Sequence, residues 1–232
     1  MNERGPLQSL ATCGGGLTNG IGNWQTVVVG PGLLFVVSGP SGAGKDTLVD
    51  ALRARMPRLR YSVSATTRPP RAGERDGEAY FFVTHEEFEQ RIATGAFLEY
   101  REYNAHLYGT PRDFVEHTLT EGYNLIMKPE VNGALSIKSA FPDAVLIFLL
   151  PDKFSHLRER LLERRTETIE EIARRLEIAH VEMKYLRNFD YVVINEQRKE
   201  AQAVEDLEAI VRAERFRIHR WGDDSIKELE HS

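Results

Sequence analysis

Cysteine is almost absent. Cys13 is the only one in 232 residues, which excludes an intramolecular disulfide and favours a reducing compartment. With no base nearby in sequence, it is a poor candidate for a catalytic nucleophile. Long apolar runs are missing too. None reaches the length that spans a bilayer, and the first residues lack a basic segment followed by a continuous apolar stretch. No membrane partner is expected, and cytoplasm is the default location. Positive charge is in deficit, with 30 Lys and Arg against 35 Asp and Glu and a formal net charge of −5. A nucleic-acid partner is therefore not expected, and any phosphate binding must come from local arginine clusters.

What the chain does have is 41% hydrophobic residues, enough to bury a core as one domain with insertions or as two small domains. Residues 1–30, with Gly14-Gly15-Gly16, Gly20, Gly22 and Gly30 among polar neighbours, have the composition of a mobile glycine-rich leader. From Leu33 onward, short apolar runs alternate with helical periodicity, as in parallel strands joined by helices. Strands are expected at 33–38, 61–64, 123–128, 144–150 and 191–195. Helices are expected at 45–56, 112–121, 132–140, 153–164, 169–188 and 198–217, followed by a polar tail at 219–232. Residues 66–111 differ, with short aromatic-rich extended runs and one helix near 85–94. They have the character of an inserted substrate lobe, which leaves 31–65 and 112–218 as the core. The charged stretch Arg164-Arg165-Thr166-Glu167-Thr168 is too polar for a core, and a lid is expected around 164–170.

A glycine-rich turn, Gly39-Pro40-Ser41-Gly42-Ala43-Gly44-Lys45-Asp46-Thr47, follows the apolar run Leu33–Val37 and opens onto the helical pattern of Leu48-Val49-Asp50-Ala51-Leu52. Strand, turn and helix in that order make a phosphate cradle. Glycines let consecutive N–H groups point into one concavity, the helix N-terminus adds partial positive charge, and Lys45 reaches the terminal phosphates of a nucleotide. One position departs from the motif. The residue after the lysine should be a Ser or Thr whose hydroxyl ligates Mg²⁺, and here it is Asp46.

A second constellation concerns the acceptor. Ser64-Ala65-Thr66-Thr67-Arg68-Pro69-Pro70-Arg71 puts two arginines three residues apart on a proline-stiffened segment, suited to forking onto a phosphate dianion. Tyr80, Glu99, Tyr108 and Thr110 follow. They offer phenol donors, a carboxylate and a hydroxyl around a purine monophosphate.

These blocks, with Phe97 to Glu99, Tyr108 to Arg112 and Tyr191 to Asn195, resemble the guanylate kinase family over about 33–217. The resemblance implies an α/β P-loop fold with a mainly parallel sheet flanked by helices, an inserted GMP-binding lobe and a lid. It implies transfer of the γ-phosphoryl group of ATP to GMP, and to dGMP, with Mg²⁺, in a monomer or dimer. By resemblance, Ser64, Arg68, Arg71, Tyr80 and Tyr108 hold the GMP phosphate and its surroundings, while Glu99 and Thr110 meet the guanine edge. Guanine presents adjacent N1–H and N2–H donors, for which a carboxylate is the natural partner; adenine does not. Arg164 and Arg175 match the family's lid arginines, which with Lys45 and Arg68 form the expected catalytic set. Residues Gly39 to Thr47 and Asn195 fall on the ATP side.

Two departures from the family coincide. Asp46 replaces the Mg²⁺-ligating serine, and Lys128 stands where the family has an aspartate at the end of a core strand; Glu130 replaces a second aspartate at the GMP site. A buried lysine needs a carboxylate, so Asp46 is the expected partner of Lys128 and the candidate metal-handling residue. Either the pair preserves metal handling, or it leaves a slow or silent guanylate-kinase-like binding domain. The Gly-Lys-Asp form also resembles a related kinase with a ribose bisphosphate acceptor, for which the guanine-facing residues would have no use.

Overall fold

The computed structural model describes residues 31–103, 105–163 and 168–220. The expected leader, most of the charged stretch at 164–168 and nearly all of the tail lie outside them. The first strand, β1 (Leu34–Ser38), is apolar and fully buried, as a strand covered on both faces of a parallel sheet must be. It runs into the glycine-rich turn and then α1 (Lys45–Arg55), whose Leu48, Val49 and Leu52 face the core. Asp46 in the first turn and Arg53 and Arg55 in the last suit the helix dipole.

Strands β2 (Leu59–Tyr61), β3 (Ala65–Thr66) and β4 (Phe81–Phe82) follow, then α2 (His85–Ala93), β5 (Phe97–Tyr103), β6 (His106–Pro111) and α3 (Arg112–Thr120). The remainder is β7 (Asn124–Met127), α4 (Val131–Ala140), β8 (Val145–Pro151), α5 (Phe154–Glu163), α6 (Ile169–Met183), β9 (Tyr191–Asn195) and α7 (Glu200–Ala213).

Two sheets result. The larger has strand order β2-β7-β1-β8-β9, and every pairing in it is parallel. On one side it packs against α1 and α7 through Leu48, Leu52, Val204 and Leu207, and on the other against α3 and α4 through Val115, Leu119 and Ile137. The smaller, β4-β3-β6-β5, has its own apolar cluster around Phe88 and Phe97, whose rings stack with centroids 4.3 Å apart. Among the described residues no helix is long and apolar enough to cross a membrane.

The expected strand at 61–64 lies instead at 59–61. Beyond Tyr61 the chain stays extended but changes partners: Ser62 N–H still donates to Ile126 O of the large sheet, while Ser64 O accepts from Phe81 N–H of the small one. Two expected helices overran. The first stops at Met183, and the second stops at Ala213, because the next residue, Glu214, turns inward. Its carboxylate is fully buried and accepts hydrogen bonds from Tyr191 Oη (2.5 Å), Arg217 Nη1 (3.2 Å) and Arg220 Nη2 (2.6 Å).

Candidate functional site

The parallel register fixes which chain segments meet beyond the C-terminal ends of the strands, where ligands bind in open α/β sheets. Val36 pairs with Met127, so the glycine turn after β1 and the segment Lys128-Pro129-Glu130 after β7 emerge side by side. Ser38, fully buried, ties them together by donating from Oγ to Pro129 O at 2.8 Å. The turn is further held from behind: Asn195 Nδ2 donates to Ala43 O at 2.9 Å, and Arg160 bridges Ala43 O (3.3 Å) and Asn195 O (3.1 Å). Lys45 folds back over the turn and donates to the carbonyls of Gly39 and of Pro40. Arg175 on α6 reaches the same turn, with Nη1 2.7 Å from Ser41 Oγ. Lys128 Nζ lies 2.5 Å from Asp46 Oδ1, the pairing expected from the sequence.

The small sheet supplies the other half. Glu99 on β5 faces Thr110 on β6, and the Thr110 hydroxyl donates to Glu99 Oε1 at 2.7 Å. Its other oxygen faces α4, where a Cβ at Gly133 would stand 3.8 Å from Oε2. Burial pushes the Glu99 carboxyl above its ordinary value, and nearby Glu130 adds to this, while the Thr110 hydrogen bond and Arg101 pull it down. The two arginines of the proline-stiffened segment differ. Arg68 is buried in an aromatic surround, 5.4 Å from the Tyr80 centroid and 5.8 Å from that of Phe82, while Arg71 is exposed. Tyr80 and Tyr108 stand edge to face at 5.9 Å.

A family description for guanylate kinase matches residues 32–214. The chain belongs to the guanylate kinase family. A guanylate kinase of Thermus thermophilus is 50% identical over 192 residues, covering 83% of this chain and 86% of that one. Guanylate kinase of Caldanaerobacter subterraneus subsp. tengcongensis is 46% identical over 201 residues, covering 87% and 97%. The crystal structure of guanylate kinase from Anaplasma phagocytophilum superimposes with a TM-score of 0.64 at 28% identity, covering 87% of this chain and 95% of that one.

Within this guanylate kinase fold, the residues expected at the site form two groups. Gly39 to Thr47, Arg175 and Asn195 gather around the P-loop, although Asn195 bonds to the loop backbone and keeps its Oδ1 buried without a partner among the described residues. Arg68, Tyr80, Glu99, Tyr108 and Thr110 gather at the small sheet. Ser64 contributes its backbone carbonyl to that sheet, and Glu130 pairs with Arg101 at 2.7 Å. Arg164 lies outside the described residues.

Three residues at the site escaped the sequence reading. Arg160 is the first. Glu182 on α6 is the second: it lies seven residues after Arg175 and so on the same helix face. Its Oε2 is buried without a hydrogen-bond partner among the described residues. Burial first, and Glu130 with it, push its carboxyl up, while Lys45 pulls it down. Glu74 is the third. The Arg71 backbone N–H donates to its Oε2 at 2.8 Å, and Arg68 Nη2 donates to both carboxylate oxygens at 2.9 Å. The Arg71 bond first, and the Arg68 bonds after it, hold the Glu74 carboxyl below its ordinary value.

Glu74 fixes the Arg68 guanidinium, which would make it a positioning residue for a phosphate taken there. Glu74→Gln is expected to raise the GMP KM by roughly tenfold, since a charge-assisted hydrogen bond gives way to a weaker neutral one, and to leave the ATP KM unchanged. Steady-state kinetics against each nucleotide check this. Equal rises in both KM values would mean that Glu74 serves the fold and not the acceptor phosphate.

Proposed function

We infer that the chain transfers the γ-phosphoryl group of ATP to GMP, giving ADP and GDP. The observation that carries this reading is the partly buried Glu99–Thr110 pair, a carboxylate and a hydroxyl on the small sheet of a chain whose large sheet bears a P-loop. The P-loop holds the donor: its backbone N–H groups, the N-terminus of α1 and Lys45 meet the phosphates of ATP. For this Lys45 leaves the carbonyls of Gly39 and Pro40, which it cannot keep while reaching a phosphate. Asn195 and Arg160 keep the loop in shape from behind.

The small sheet with α2, residues 66–111, is the acceptor lobe. Glu99 accepts from guanine N1–H and N2–H, and Thr110 keeps its carboxylate in place. Arg68, steadied by Glu74, takes the GMP phosphate with Arg71, Tyr80, Tyr108 and Ser64, and Glu130 borders that site. dGMP fits the same contacts, since none of them uses the ribose 2′-hydroxyl.

Phosphoryl transfer needs the attacking and leaving oxygens held in line and the charge on the equatorial oxygens neutralised, and it needs no protein nucleophile. Lys45, Arg68 and Arg175 supply that charge, together with Arg164 by family resemblance. Mg²⁺ enters as part of the substrate, MgATP. Among the described residues no cluster of three or more His, Cys, Asp or Glu side chains holds a metal alone, but the Asp46 carboxylate is a hard oxygen donor of the kind Mg²⁺ takes. It stands where the motif has a hydroxyl.

A coupled assay of ADP release with GMP, dGMP, AMP and ribose bisphosphate tests the assignment. Release is expected with GMP and dGMP. Turnover of ribose bisphosphate without turnover of GMP would replace this reading with the related kinase, and binding of GMP without any ADP release would make the chain a silent binding domain.

A further inference from the structure

We propose that Lys128 is a phosphate-directed cation of the donor site, held there by Asp46, and that it supplies part of the counter-charge a P-loop nucleotide otherwise draws from its metal ion. The inference rests on the reading of the P-loop as the site of the ATP phosphates.

Position is the first argument. Lys128 directly follows β7, as Gly39 directly follows β1, and the register of these neighbouring strands together with the Ser38–Pro129 bond brings Lys128 to the root of the phosphate loop. Asp46 is the second residue of α1 and directly follows Lys45. The 2.5 Å ion pair therefore spans from the strand end to the first turn of the helix that receives the phosphates. The pair is also directional. The Lys128 side chain is 24% exposed against 71% for Asp46, and its Nζ lies 5.2 Å from the Tyr61 centroid. The ammonium is thus held from three directions, by its strand, the ring and the carboxylate.

Charge is the second argument. A carboxylate in place of the hydroxyl puts a negative group beside the β- and γ-phosphates, where it would repel them. Lys128 offsets that charge. An ammonium carries three N–H donors, and Asp46 takes one. Lys128 makes no other hydrogen bond among the described residues, so two donors remain for phosphate oxygens. A hydroxyl at position 46 is neutral, so apart from the metal it ligates it brings no positive charge to the phosphates. The Asp46–Lys128 pair also acts directly, by a fixed cation that stays when the metal leaves.

The test is equilibrium binding of a non-hydrolysable ATP analogue to the full chain, by calorimetry, with Mg²⁺ and with chelator. The unsubstituted chain is expected to keep metal-free binding within about tenfold of its Mg²⁺-supported affinity. Lys128→Met is expected to lose a further factor of about ten in chelator and less in Mg²⁺, as for one close charge pair removed. Lys128→Arg keeps the charge and should stay near the parent, which guards against misreading a folding defect. In an Asp46→Ser background the Lys128→Met loss should shrink several-fold, because no carboxylate is then left uncancelled.

Absence of binding even with Mg²⁺ would refute the P-loop reading itself. Binding by the parent, with equal losses for Lys128→Met in Mg²⁺ and in chelator, would overturn the role of Lys128 alone. Strictly additive losses for the two substitutions would overturn the part given to Asp46.

Discussion

GMP is expected to exceed AMP as acceptor by ~10⁴-fold in kcat/KM, the discrimination reached when a site built to bond a substrate N–H meets an analogue without it. Glu99→Gln is expected to remove on the order of 10²-fold or more of the GMP efficiency. The amide loses the charge-assisted bond, and its NH₂ group opposes a guanine donor unless the amide turns. Turning is costly here, because the Thr110 hydroxyl already donates to Glu99 Oε1 and needs an acceptor opposite it. One of the two donors, Thr110 or guanine, then lacks a partner in a partly buried site, and that is where most of the loss arises. Comparable kcat/KM for AMP and GMP in the parent protein would sink the guanine assignment.

The same carboxylate is expected to give the acid limb of the pH profile. As the proposed partner of guanine it would bind only when ionised, and burial raises its proton affinity above that of an ordinary glutamate. As pH falls, kcat/KM for GMP should therefore begin to drop at a higher pH than an exposed carboxylate would allow. The KM for ATP should not follow. Burial is the main cause of the shift and Glu130 a smaller one in the same direction, so Glu130→Gln should move the limb slightly to lower pH.

The sequence revealed those parts of the site whose chemistry is local. The P-loop was visible because strand, glycine turn and helix are contiguous, and the Asp46–Lys128 contact because a charge departure in one motif calls for a compensating charge in another. Side chains that act on other site residues stayed hidden. Glu74 looks like one more charged loop residue until the fold of the loop brings it onto Arg68, six positions away. Asn195 and Ala43 are 152 residues apart, and nothing in either segment announces the other. Strand β2 was displaced for a related reason: residues 59–66 are extended nearly throughout, and a period of two does not say where the chain passes from one sheet to another. Glu214 ended a helix that periodicity would have continued, because its partner Tyr191 lies on a different element.

The P-loop should be intolerant of a single methyl group at Gly44, with a loss of on the order of 10²-fold in kcat/KM for ATP. Gly44 caps α1 at φ +96°, a left-handed conformation that costs a residue with a Cβ about 1–2 kcal/mol. Space is the larger obstacle. A Cβ there would stand 2.4 Å from Asn195 Nδ2, which is buried and donating to Ala43 O. Either Asn195 withdraws and its buried amide loses its acceptor, at roughly 1–3 kcal/mol, leaving Ala43 O to Arg160 alone, or the loop shifts and its N–H groups lose their convergence on the phosphates. Arg160 cannot absorb the change, since it leans on the same carbonyl and on the Asn195 backbone. Gly95→Ala is the control: its φ is +67°, but a Cβ meets nothing within 4 Å, so it carries the backbone cost alone. Thermal unfolding and ATP kinetics of the two variants separate the contributions. Gly44→Ala should unfold several degrees below Gly95→Ala, at about 2–4 °C per kcal/mol for a chain of this size, and it alone should lose ATP efficiency. If the two variants behaved alike, the Asn195 strut behind the loop would have no part in holding the phosphate cradle.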